Sequence, residues 1–111
     1  MQLTVRIRPY YKNGFKGIYP ALARGVSQLD TFRGTEEPSL FDMVDRLDRL
    51  LYELEGNPPF REILLKHQVE LRNLHEKIQN HIADWKLAQA DKMLYRIEDI
   101  FDDIEWELSK I

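Results

Sequence analysis

The chain contains no cysteine, and no long apolar run interrupts its polar residues. The absence of cysteine excludes disulfides, thiolate catalysis and zinc sites built on sulfur, and it leaves the redox compartment open. No run of about 18 apolar residues is present to form a membrane-spanning helix. The first residues also lack the apolar core of a signal peptide. The sequence therefore predicts a soluble, cytoplasmic protein that does not associate with a membrane.

The length of 111 residues predicts a single domain covering residues 1–111. Hydrophobic residues make up 43% of the chain, which is enough for one modest core and argues against disorder. The net charge of −3 is unevenly spread: residues 1–38 hold six Lys and Arg against three carboxylates, and residues 91–111 hold three against seven. This distribution favours attraction between a basic head and an acidic tail, within the fold or between subunits.

The N-terminal segment, residues 1–19, carries a strand pattern. Leu3, Val5 and Ile7 alternate with polar residues, as in a half-buried strand, and Pro9 stops the strand or places it at a sheet edge. The Asn13-Gly14 pair is a common hairpin turn. Three interpretations stay open: a hairpin of residues 3–11 with 15–19, a lone strand paired across a dimer, and no strand.

Two helices are expected in the next part of the chain, over residues 20–33 and 39–55. Apolar residues recur every three or four positions from Ile18 to Phe32, and Gly34 follows as a stop. Gly25 weakens the first helix by about 1 kcal/mol relative to alanine but leaves room for close packing. Ser39 and Asp42 resemble a capping box at the start of the second.

The last two helices are predicted from two apolar seams that are out of phase. The first seam consists of Phe60, Leu64, His67, Leu71, Leu74, Ile78, His81 and Trp85. The second seam consists of Leu87, Ala90, Leu94, Ile97, Phe101, Ile104, Leu108 and Ile111. The offset is about 200° around a helix, so one straight helix cannot bury both seams on one partner. We therefore expect helices over 59–83 and 86–110, with a break near 83–87 and Asp84 as the N-cap of the last helix.

These elements predict a mainly α fold. It is an antiparallel up-down bundle of three to four helices, the last two long, with a short N-terminal β-strand or hairpin. A shared repeat of 3.5 residues favours a shallow crossing angle of about 20° between the long helices.

Carboxylates on the last helix are the first candidates for chemistry. Glu98, Asp102 and Glu105 share one strip of that helix, and oxygen ligands of this kind suit a divalent cation. The strip resembles the acidic helices of all-helical nucleotide pyrophosphatases of the MazG type, which implies metal-dependent hydrolysis. The chain lacks the adjacent Glu-Glu motif that such enzymes carry on a preceding helix. We predict no catalytic residue, no cofactor and no enzymatic activity, with a metal-dependent hydrolase as the alternative.

The histidines do not form a metal-binding pattern. His67 and His81 lie in one seam row about 21 Å apart, too far to share an ion. They are expected in the core or at its boundary, whereas His75 lies off the seam and is expected to be exposed.

A basic surface is predicted near the N-terminus, where cations alternate with aromatic residues. Its cations are Arg6, Arg8, Lys12 and Lys16. Such a pattern can stack bases and follow phosphates, so nucleic-acid binding is a second alternative. The isoelectric point near 5.6 makes a nucleic-acid partner the weaker interpretation.

The function expected first is that of a non-catalytic protein–protein interaction module, such as an adaptor, a chaperone-like protein or a regulator. Apolar residues outside the main seams would leave a second apolar strip in water on a monomer. The partner-binding candidates are Met93, Tyr95, Ile100, Trp106, Val69 and Ile82. A homodimer would bury them, and a twofold axis would let the basic head of each chain meet the acidic tail of the other.

Overall fold

The computed structural model describes residues 17–26, 29 and 39–111, and these residues are mainly helical, as the sequence predicts. The helices are α1 (Pro20–Val26), α2 (Leu40–Asp45), α3 (Leu47–Glu53), α4 (Pro58–Ala83) and α5 (Leu87–Leu108), with a 3₁₀ turn at Leu54–Gly56 between α3 and α4. No strand occurs among them. The predicted N-terminal strand lies outside the described residues, except that Gly17 and Ile18 are helical rather than extended.

The helix predicted over residues 39–55 is present with one interruption. The Ser39 side chain accepts a hydrogen bond from the Asp42 amide at 3.0 Å, which confirms the expected N-cap. Arg46 separates α2 from α3, although hydrogen bonds from its amide to Asp42 and from Leu50 to its carbonyl continue along the axis. The chain therefore runs through α2 and α3 in nearly one direction.

The break between the long helices lies where the two seams predict it, and a Schellman motif forms it. The Trp85 amide donates to the Ile82 carbonyl at 3.1 Å, and the Lys86 amide donates to the His81 carbonyl at 2.7 Å. Trp85 has φ 60°, the left-handed conformation that glycine usually provides at this position. The prediction for Asp84 is wrong, because Asp84 is the C-cap of α4 rather than the N-cap of α5.

Contacts between side chains show that α4 runs antiparallel to α5. Early residues of α4 meet late residues of α5: His67 lies 3.0 Å from Glu107, and Glu70 lies 2.8 Å from Arg96. On the other side of α4, Gln68 donates to Asp48 of α3 at 3.1 Å. The seams meet between α4 and α5, where Leu71, Ile97 and others are fully buried.

Helices α1 and α2 cover a second side of α5. Tyr19 packs edge-on against Phe101, with 6.3 Å between the ring centroids. Both helices contact α5, and one continuous cluster of buried apolar residues includes members from α1 to α5. The ends of the second seam are not part of this core, because Leu87 and Ile111 are exposed.

Within the part of the chain that the structure describes, no helix combines the length and apolar character needed to cross a bilayer.

Candidate functional site

The six predicted partner-binding residues divide into three groups in the structure. Val69, Tyr95 and Trp106 are 71%, 61% and 60% exposed. Ile82 and Met93 are partly buried and pack against the core. Ile100 is only 2% exposed, so the prediction of a surface role for this residue is wrong. It is buried on the side of α5 that faces α4, because its neighbours around the helix, Arg96 and Glu107, both bond to residues of α4.

The outward face of α5 carries what we call the outer stripe, formed by Tyr95, Asp99, Asp102 and Trp106. All four side chains are exposed. Their spacing of four, three and four residues keeps them on one side of the helix, since residues 95 and 106 differ by only about 20° in angle. The outer stripe therefore presents two large aromatic rings with two carboxylates between them.

The Trp106 ring already contacts a cation. The Lys110 Nζ atom lies 3.6 Å from the centroid of the ring, one helical turn further along the chain. An ammonium in this position is attracted by the negative face of the indole. The ring is therefore positioned to hold a positive charge beside the carboxylates of the stripe.

The carboxylate strip named as a candidate metal site is not brought together for that purpose. The Glu105 carboxylate accepts hydrogen bonds from the amides of Ala21 (2.6 and 3.1 Å) and Leu22 (3.2 Å), where it caps α1. Glu98 and Asp102 stay on the outer side of α5. In the described ranges, no group of three or more potential ligands is arranged to hold a metal ion.

The pKa of Glu98 is shifted by its surroundings on the outer side of α5. Partial burial and the nearby carboxylates of Asp102, Asp99 and Asp91 raise its pKa, in that order of importance. Like charges therefore repel one another along this side of α5, and a cation bound there would relieve the repulsion.

A buried histidine occupies the interface between α2 and α4. The His75 ring stacks on Phe41, with 4.0 Å between centroids and 16° between planes. Its Nε2 atom is buried with no hydrogen-bond partner, and Asp45 Oδ1 lies 3.8 Å away. The expectation that His75 is exposed is wrong, because α2 packs onto its side of α4. Burial lowers its pKa, and the Asp45 and Asp42 carboxylates oppose that shift.

The other predicted boundary histidines lie at the edge of the core. His67 and His81 are both partly buried. His67 and Lys66 bind the Glu107 carboxylate, and these hydrogen bonds lower the pKa of Glu107. The cluster ties α4 to α5.

The predicted basic surface of Arg6, Arg8, Lys12 and Lys16 lies outside the described residues. In the described part of the chain, α5 holds two cations and seven carboxylates. The site that the structure does describe is therefore acidic and aromatic.

Comparisons with protein families, with curated protein sequences and with solved structures find no match to this chain.

Proposed function

We propose that the chain is a non-catalytic protein–protein interaction module that docks partners on the outer stripe. One observation carries the proposal: Tyr95 and Trp106 are both mostly exposed on one face of α5, three helical turns apart. Aromatic residues are enriched where proteins bind one another, because they bury a large area at low cost in side-chain entropy. Neither ring is needed to close the core, since α1, α2 and α4 cover the remaining sides of α5.

The other polar groups support a structural rather than a catalytic use. Glu105 caps α1, and Glu107 joins Lys66 and His67 across the two long helices. Each of these carboxylates is already engaged by neighbouring donors, which holds elements of the fold together. Tyr95 and Trp106 of the outer stripe are the exposed large aromatic residues within α5. Other exposed large apolar residues of the described chain are Tyr52, Val69, Trp85, Leu87 and Ile111.

Self-association is the interaction that we expect first. A second copy that docked a basic part of its surface on the outer stripe would remove Tyr95 and Trp106 from water and gain from the large aromatic area. Residues 1–38 are net basic and residues 91–111 are net acidic. In a dimer, the basic segment of each copy would therefore be attracted to the acidic segment of the other.

Sedimentation equilibrium at micromolar concentration tests this proposal. We expect an apparent mass above 13.3 kDa that rises with concentration. Replacing Tyr95 and Trp106 with Ser should return the mass to that of the monomer, whereas Trp85→Ser removes an exposed ring outside the stripe and should not. A mass that stays at the monomer value as concentration rises contradicts self-association.

A further inference from the structure

Helix α5 carries far more negative than positive charge, and few of its carboxylates are paired with cations among the described residues. The helix carries seven carboxylates and two cations. One of the cations, Arg96, is paired with Glu70 of α4 at 2.8 Å. Two of the carboxylates, Glu105 and Glu107, bind groups of α1 and α4. Asp99 and Asp102 remain on the solvent side with the aromatic rings of the outer stripe.

The stripe is poorly suited to pairing with its own copy. If a second α5 lay antiparallel with Tyr95 opposite Trp106 of the second copy, Asp99 would face Asp102 of that copy. The twofold axis would repeat the clash, so four carboxylates would lose water without a cation between them. Like charges brought together in this way disfavour the wrong partner. A ligand that brings positive charge avoids this repulsion.

We infer that the outer stripe binds a basic protein segment, with a lysine or arginine cation against the Trp106 ring and further cations facing Asp99 and Asp102. The inference rests on the proposed function, because it names the chemistry of the partner at the same face. Lys110 occupies a position on the ring that shows how a cation is accepted there. A second copy can use the stripe only through a basic part of its own surface.

The dimensions of the stripe set the length of the ligand. Tyr95 and Trp106 are eleven residues apart, which corresponds to about 16.5 Å along the helix axis. An extended segment of about five residues covers this distance, and a helical segment needs about eleven. A peptide of thirteen residues with several cations is therefore long enough in either conformation.

A suitable probe is a fluorescently labelled peptide with the sequence of residues 4–16, which contains Arg6, Arg8, Lys12 and Lys16 and no carboxylate side chain. Its binding to the full chain is measured by fluorescence anisotropy at low and high salt. The same titration is made with a full-length variant in which these four residues are Gln, so that the protein's own cations cannot compete. We expect saturable binding to both proteins that weakens as salt screens the charges.

Substitutions on the stripe separate recognition of a cation from general adhesion. Trp106→Phe should weaken binding slightly and Trp106→Leu by about two- to fivefold, since indole is the best ring for a cation and leucine has none. Asp99→Asn combined with Asp102→Asn should reduce both the affinity and its salt dependence. Lys110→Gln should strengthen binding, because it vacates the ring and removes a like charge. Trp85→Leu, outside the stripe, is the matched control and should change nothing.

Two results overturn the inference. One is equal binding of a peptide whose four cations are replaced by Gln, and the other is equal binding by the Trp106→Leu and Trp106→Phe variants. If the chain self-associates through Tyr95 and Trp106 but binds the basic peptide no better than the neutral one, this inference fails while the proposed function stands. Absence of both self-association and peptide binding contradicts the two together.

Discussion

The Glu105 carboxylate in α5 accepts the backbone amide of Ala21 in α1 at 2.6 Å, across 84 positions of the chain. The first amides of a helix have no partner within the helix, and Pro20 has no amide hydrogen to satisfy. A carboxylate at this end also interacts favourably with the helix dipole. One acidic residue of the last helix therefore holds the first described helix in place.

Replacing Glu105 with Ala should lower the free energy of unfolding by about 1–3 kcal/mol, because two amides near the start of α1 lose a charged acceptor. Glu105→Gln keeps an acceptor and should cost less. Denaturant titration followed by circular dichroism measures both. Glu98→Gln serves as the control, since Glu98 lies on the outer side of the same helix. An Ala variant as stable as the parent would show that the cap does not stabilise the fold.

Gly25 should not tolerate a side chain, even though alanine favours helices. A Cβ atom at this position would overlap the ring of Phe60, which is buried at the start of α4. We expect Gly25→Ala to lower the free energy of unfolding by about 1–3 kcal/mol through overpacking. Combining it with Phe60→Leu should recover part of the loss in the same denaturant titration.

Gly56 provides the matched control for this prediction. A Cβ atom there would meet nothing within 4 Å. Gly56→Ala should therefore leave stability unchanged or raise it by up to about 1 kcal/mol, since alanine restricts the unfolded chain. Equal effects at the two glycines would contradict the packing argument.

At position 85 we expect glycine to give a more stable fold than alanine, which is the reverse of the usual order within a helix. The Trp85 φ of 60° is favourable for glycine and costs about 1 kcal/mol or more for a residue with a Cβ atom. Trp85→Gly should therefore be more stable than Trp85→Ala by about 1 kcal/mol in thermal unfolding, and both lose the same indole. At Asn73, an exposed position inside α4, the Gly variant should instead be about 1 kcal/mol less stable than the Ala variant. The same order at both positions would rule out a left-handed Trp85.

His75 should make stability fall as the solution becomes mildly acidic. Burial lowers its pKa in the folded state, so the unfolded chain takes up the proton first. Its contribution is complete above the unfolded value of about 6.5 and is lost as the pH falls through the lower folded value. His75→Leu should flatten the dependence of the unfolding free energy on pH just below 6.5.

Glu107 contributes to stability in a separate, more acidic pH range. Hydrogen bonds from Lys66 and His67 lower its pKa, so its contribution is lost only as the pH falls below the ordinary carboxyl range. Because His67 binds this carboxylate, the effect of His75 is measured with Glu107 retained in both chains. A His75→Leu variant with an unchanged slope in the pH range of His75 would contradict the assignment.

The position of the break between the long helices was predictable from the sequence, but its local structure was not. The phase shift between the seams locates it near residues 83–87, and α4 ends at Ala83 while α5 begins at Leu87. The Schellman motif that ends α4 was not predictable from residue type, because a tryptophan occupies the position where glycine is usual. Backbone hydrogen bonds of the Schellman motif, and not a side-chain cap at Asp84, end the helix.

The sequence by itself determined the helical periods, the Ser39 cap and the seam that buries Leu71 and Ile97, because these depend on spacing along one helix. Only the tertiary structure decided that Ile100 is buried while Trp106 is exposed, although both lie outside the predicted seam. Periodicity gives the angle of a residue around its own helix, but it does not say which neighbour covers that angle. The packing of α5 against α4 on one side and against α1 and α2 on another depends on long-range contacts, and it leaves the outer stripe as the face open to a partner.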